Sequence, residues 1–238
     1  MESKVSLGDT EEVLEPCTII IDAMALIQKI HGENRTFIEL AKYVLSAVVH
    51  AATRCQRIDV VFNVYKQQSI KSAERKSRGS REGITFNEIM PGHQIQIGED
   101  CLQVQKLKQT NQVFCRHWKD KKVRENIGDK TLFVTYREQC FQINSDSCVE
   151  IDALRSNQEE VDTRLLLHAK HAEETYPSII CVSNDTDVLI ICLGLMAYIS
   201  SKIFIRRGKR SCNRLVDVKR LASAVELKVC TELIGLHP

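Results

Sequence analysis

The chain has 238 residues, of which 43% are hydrophobic and 27% charged, with a formal net charge of +2. That balance is globular and sufficient for a sizeable core, which excludes collagenous, low-complexity and strongly disordered classes. The small net charge hides a division: residues 64–130 hold 14 Lys or Arg against 8 Asp or Glu, a net of +6, whereas residues 144–190 hold 3 against 10, a net of −7.

One middle segment therefore suits an anionic partner and a later one concentrates carboxylates. The length fits one generous α/β domain, or a compact core with a long insertion, better than two domains. Residues 1–16 are polar and acidic, without the basic start and apolar run of a secretory signal, and are expected to be a disordered tail ahead of a domain at 17–238. The longest apolar run, Val188 to Ile199, is shorter than the roughly 18 residues a membrane span needs. Ten cysteines run from Cys17 to Cys230 with no CxxC pair, mostly in apolar surroundings, and read as buried free thiols of a reducing compartment. The expectation is an intracellular protein without a membrane part, the nucleus being a candidate compartment.

In chain order, CTIIID (17–22) is a β-branched run ending in an acid before a helical stretch at 23–30, so it reads as a buried parallel strand presenting Asp22 at its carboxyl end. Residues 37–53 have apolar positions at helical spacing, and Arg57-Ile58-Asp59 then leads into a second buried strand, VVFNVY, ending near Asn63. Residues 67–78 form a polar, basic helix candidate. Periodicity is lost from Gly79 to about Lys130, which reads as an insertion. Strands are expected at 131–136 and 139–143, an amphipathic helix at about 158–174, and a strand at SIICVS ending in Asn184-Asp185-Thr186-Asp187. A helix from 187, a strand near 202–206 and a helix from 217 to about 234 complete the alternation. Alternating strands and helices predict a mainly parallel central sheet with helices on both faces, its ligand site beyond the carboxyl ends of the strands.

Three acidic groups fall where that rule places a site: Asp22, the pair Asp185 and Asp187, and the helix start carrying Glu159, Glu160 and Asp162. Carboxylates gathered at one rim repel each other unless a cation neutralises them, and an all-oxygen set suits Mg²⁺ or Mn²⁺. Two such ions about 4 Å apart activate water and stabilise a leaving oxygen in phosphodiester hydrolysis. Each group also has a structural explanation. Asn184 or Asp185 can cap the following helix, and Ser156 with Glu159 forms a capping box that leaves Asp162 unexplained. His168 and His171 lie i, i+3 without further zinc-spaced donors and read as surface or core histidines. Phe114 and Trp118 serve as hydrophobic anchors or as stacking platforms for bases. Arg206-Arg207-Gly208-Lys209-Arg210 reads as a basic loop, with nuclear import or phosphate contact as alternatives.

Asp22 after a strand, Val60-Val61-Phe62-Asn63 on the next, a basic helix, Glu160-Val161-Asp162 opening a helix and Asp185-Thr186-Asp187 after SIICVS together resemble flap endonucleases and their PIN-like relatives. SNQEEVDTRLLLHAKHA and SNDTDVLII also resemble a group of animal proteins, some linked to mobile elements, that carry such a domain. The resemblance implies metal ligation by Asp22, Asn63, Glu160, Asp162, Asp185 and Asp187, with Asn63 standing where the family has Asp. It implies that Lys71 and Arg75 steady the scissile phosphate and that Arg78 contacts nucleic acid. Residues 79–130 would be the family's arch, its Lys106, Lys108, Lys119, Lys121, Lys122 and Arg124 binding DNA or RNA with little sequence preference. The family continues past a Leu-Gly helix end into a Gly-x-Asp segment; LIGLHP stands at that point here, so a truncated or repurposed copy is the matching expectation.

The expected function is divalent-metal-dependent hydrolysis of phosphodiester bonds in nucleic acid, with a catalytically decayed binding module on the same fold as the alternative. An RNase H-type fold also clusters acids, but its antiparallel opening strands fit CTIIID followed by a helix poorly.

Overall fold

The computed structural model describes residues 13–27, 35–64, 94–95, 104–158, 161–208 and 214–225. Strand β1 (Cys17–Asp22) is buried at all six positions, as a β-branched run is when both faces of its sheet are covered. After the short α1 (Ala23–Ile27) and β2 (Arg35–Thr36), helix α2 (Phe37–Ala51) begins at a capping box. Thr36 Oγ1 accepts from the Glu39 amide, and Glu39 accepts from the Thr36 amide at 2.7 Å. Phe37, Leu40, Ala41, Val44, Leu45 and Val48 line the buried stripe of that helix. β3 (Cys55–Val61) returns parallel to β1.

β4 (Gln94–Ile95) pairs with β2, and α3 (Val104–Trp118), α4 (Lys121–Arg124) and a 3₁₀ turn (Glu125–Ile127) lead to β5 (Thr131–Tyr136). β6 (Gln139–Ile143) and β7 (Cys148–Glu150) fold back antiparallel. Next come α5 (Val161–Ala172), β8 (Ser178–Val182), α6 (Thr186–Leu195), β9 (Lys202–Arg207), β10 (Arg214–Asp217) and α7 (Val218–Val225).

The main sheet has eight strands in the order β10-β9-β8-β1-β3-β5-β6-β7. Neighbours from β9 to β5 are parallel, and β10, β6 and β7 add antiparallel edges. Alternate residues feed two cores. Ile19, Ile21, Ile58 and Val60 pack with α2 and α3 on one face, and Ile20, Val61, Ile179 and Cys181 with α5, α6 and α7 on the other. A fully buried Ile contributes roughly 2 kcal/mol, so Ile19→Asp would break the central strand. The chain moves outward from β1 through β3 to β5, then crosses to β8 on the other side of β1. The order reverses beside β1, which is where an open α/β sheet leaves a crevice beyond its strand ends.

The fold is α/β with a mixed, mostly parallel sheet. Five local readings change. Residues 13–16 are not tail, for Val13 joins the core and the Leu14 amide donates to Ser178 Oγ at 2.9 Å. Residues 104–118, expected within an insertion, are a core helix whose Phe114 and Trp118 are fully buried; Trp118 Nε1 donates to the Ala41 carbonyl at 2.9 Å. Its polar residues Thr110 and Asn111 are buried too, which is why apolar periodicity hid it. β3 starts at Cys55 and contains Arg57 and Asp59, because the two charges neutralise each other inside the fold. Helix 158–174 is shorter, and β10 was unforeseen. No helix among the described residues is long and apolar enough to cross a membrane.

Candidate metal centre

Asp162, Asp185 and Asp187 each place a carboxylate oxygen within 4.8 Å of the other two. Asp162 sits in the first turn of α5, and the other two open α6 immediately beyond β8. Two segments distant in sequence therefore bring three acids to the carboxyl end of the sheet beside the topological reversal. At a solvated rim the mutual repulsion is about 1 kcal/mol per pair. A dication would turn each of those charges from a liability into a ligand. The donor set is entirely oxygen, which fits Mg²⁺ or Mn²⁺ and not a thiolate- or imidazole-seeking ion.

The turn carrying Asp185 is tied on three sides. Asp185 is the N-cap of α6: its Oδ1 accepts from the Asp187 amide at 3.0 Å, and its own amide donates to Ser183 Oγ at 3.1 Å. From the end of β9, Arg207 Nη2 donates to the Asn184 carbonyl at 3.2 Å and to Thr186 Oγ1 at 3.3 Å. The Gly208 amide donates to Asn184 Oδ1 at 3.0 Å from a backbone with φ of 127°, which a side chain at this position would strain. Capping and clustering thus coexist, since one Asp185 oxygen caps while the carboxylate as a whole stays in the trio.

Asn63 lies just past β3 at the same end of the sheet, and its buried Oδ1 has no hydrogen-bond partner among the described residues. An unpaired buried oxygen costs roughly 1–3 kcal/mol, so an oxygen left without a donor at this rim fits a cation-facing role. The strand end that carries it is fixed from both sides. The Phe62 amide donates to Thr135 Oγ1 at 2.8 Å, and the Phe62 carbonyl accepts from Arg164 Nη1 at 2.8 Å.

Asp22, also expected as a ligand, lies outside the trio. It stands at the same rim, opposite Val61 in register, and is 9% exposed. Its Oδ1 accepts from the Met24 amide at 2.8 Å, so a local turn into α1 orients it. Glu159, Glu160, Lys71, Arg75, Arg78, Lys209 and Arg210 lie outside the described residues.

Four of the basic residues expected to bind nucleic acid lie among the described side chains. Lys119, Lys121, Lys122 and Arg124 lie on the segment that runs back to the start of β5, and Lys130 Nζ donates to the carbonyl of Cys55, the first residue of β3. That places Lys130 at the amino end of the strands, whereas the carboxylates gather at the other end. The Lys119 ammonium also rests over the Phe141 ring.

Beneath the rim is a buried polar network that sequence reading missed. Arg57 grips Asp59 with Nε to Oδ1 at 2.7 Å and Nη2 to Oδ2 at 2.8 Å, and stacks on Phe133. His168 Nδ1 donates to Asp59 Oδ2 at 2.7 Å, and Arg57 Nη1 donates to His171 Nδ1 at 2.9 Å, which fixes His171 as the Nε2-protonated tautomer. Burial by itself would raise the Asp59 carboxyl, but the Arg57 charge and the His168 hydrogen bond outweigh it and hold it below its usual range. Arg164, 1% exposed, spends its Nη1 donor on the Phe62 carbonyl, and burial pushes its guanidinium down to about 10. A single Arg-x-Asp alternation inside an apolar strand was the available signal. No protein-family model and no curated protein matches the chain.

Proposed function

We propose that the protein is a divalent-metal-dependent nuclease of the PIN-like, flap-endonuclease type, hydrolysing phosphodiester bonds in DNA or RNA. The observation that carries this reading is the meeting of Asp162, Asp185 and Asp187 oxygens within 4.8 Å at the carboxyl end of a mostly parallel sheet.

In this reading Asp162, Asp185 and Asp187 hold Mg²⁺ or Mn²⁺, and Asn63 adds a neutral oxygen. When bound, the metal offsets phosphate charge and lowers the pKa of water at the reacting phosphorus. The chain's own contribution is positional. The α6 cap and the Arg207 clamp hold the Asp185 turn, and the Arg164 bond to Phe62 ties α5, which carries Asp162, to the strand end that carries Asn63. Asp22, anchored to the start of α1, keeps negative charge at the rim beside that set. Lys71 and Arg75 would oppose the charge of the scissile phosphate, a role that rests on the resemblance. The test uses end-labelled single-stranded and branched DNA and RNA. Cleavage that needs Mg²⁺ or Mn²⁺, stops with a chelator and disappears in Asp185→Ala is expected; metal-independent cleavage that survives the substitution would refute the reading.

A second reading is a nucleic-acid-binding module that has lost turnover. It is favoured by Asn63, which supplies an oxygen without the charge that the resemblance places there. Salt-sensitive binding without cleavage, together with cleavage gained in Asn63→Asp, would mark an eroded enzyme; no gain would mark a repurposed scaffold.

A further inference from the structure

At the opposite end of the sheet from the carboxylates, two thiols face each other across the central pair of strands. Cys17 opens β1 and Cys55 opens β3, and they are register partners at an irregularity between Cys17 and Thr18. Their Sγ atoms lie 2.9 Å apart, and both residues are free cysteines. Adjacent strands are about 4.8 Å apart, inside the roughly 4.4–6.8 Å separation of Cα atoms that a disulfide spans. A metal explanation lacks donors, because the cluster that would suit an ion among the described residues is the aspartate trio.

The pair is also chemically asymmetric. The hydrogen bond between the two lowers the Cys17 thiol below its ordinary range against burial and the Glu15 charge, with Arg54 and Arg206 helping, while the same bond and burial push Cys55 up. Elsewhere burial raises Cys115 to about 11 and raises Cys140, and a bond to Cys192 together with burial raises Cys181. A thiolate is the reactive form, so Cys17 is the nucleophile among these thiols. Exposures of 0% for Cys17 and 3% for Cys55 favour a small oxidant over a bulky disulfide.

We propose that Cys17 and Cys55 form a peroxide-responsive modification site that closes a disulfide between β1 and β3. The Cys17 thiolate attacks one oxygen of hydrogen peroxide, breaking the O–O bond, and the departing hydroxide takes up a proton to leave as water. The product is a sulfenic acid on Cys17. Cys55 then gives up its proton and attacks the Cys17 sulfur, the S–O bond breaks, and the hydroxide leaves as a second water. The two thiols lose two electrons and two protons, and one peroxide becomes two waters. The bond closes the loop containing β1, α1, α2 and the start of β3, and it joins the two strands whose far ends carry Asp22 and Asn63.

The test is peptide mapping of the whole chain without reduction, after brief treatment with hydrogen peroxide and trapping of remaining thiols. A Cys17–Cys55 linked peptide lacking two hydrogens, formed at least about tenfold faster than Cys115 is oxidised and removed by dithiothreitol, is expected. In Cys55→Ser, a sulfenic acid trapped by dimedone on Cys17 is expected. A first cross-link at Cys181 and Cys192, or direct over-oxidation of Cys17 without a linked peptide, would overturn the proposal. The wild-type mapping decides it even if the variant does not fold. The outcome is independent of metal binding or cleavage at the carboxylate end.

Discussion

His168 on α5 donates its Nδ1 proton to Asp59 on β3 across 2.7 Å, in a contact where both side chains are fully buried. Since Arg57 holds the same carboxylate, Asp59 is the shared acceptor of a strand-to-helix polar link. Asp59→Ala leaves the buried Arg57 uncompensated and is expected to cost about 3–5 kcal/mol, read as a lower urea midpoint. A loss below about 1 kcal/mol would mean that Arg57 finds water instead. Acid adds a second readout: Asp59 has its folded pKa below the ordinary 3.8, so its contribution is complete above that pH and is lost as pH falls through the folded value.

Histidine titration gives a pH dependence in a milder range. Burial and the Arg57 charge lower His171 below its ordinary 6.5, and burial with Lys42 lowers His117. Both are therefore favoured neutral in the folded state, and the unfolded chain binds more protons just below pH 6.5. Stability is complete above that pH and falls as pH drops through the folded values. Thermal midpoints measured from about pH 7.5 to about pH 5.5 should decline, and His171→Gln should flatten the decline. An identical slope in the variant would show that His171 is not the group responsible.

Arg207 reaches the acidic turn through the Asn184 carbonyl and Thr186 Oγ1. Arg207→Ala is expected to speed hydrogen exchange at the Asp185 and Asp187 amides about tenfold and to leave the thermal midpoint nearly unchanged, because both bonds lie at the surface. Unchanged exchange would show that the α6 cap alone holds the turn.

The sheet was legible because β1, β8 and the end of β3 are apolar, rich in β-branched residues, and their order with intervening helices dictates a parallel core. The meeting of Asp162 with Asp185 and Asp187 was legible for the same reason: in a parallel sheet, the residues that leave a strand and open the next helix gather at the carboxyl ends. Helix α3 was hidden because buried Thr110 and Asn111 interrupt its apolar stripe, and the Arg57–Asp59 pair was hidden because charges inside a strand read as a lead-in. The orientation of Asp22 depends on a backbone amide two residues on, which side-chain identity does not reveal.

The trio is tested most directly by titrating the purified chain with Mn²⁺ and measuring bound ion by electron paramagnetic resonance. Specific binding is expected in the wild type, weakened at least about tenfold in Asp162→Asn, Asp185→Asn and Asp187→Asn alike, and unchanged in Asp146→Asn in the β6–β7 turn. Binding that is absent from the wild type, or indifferent to all three substitutions, would contradict a metal centre at this rim.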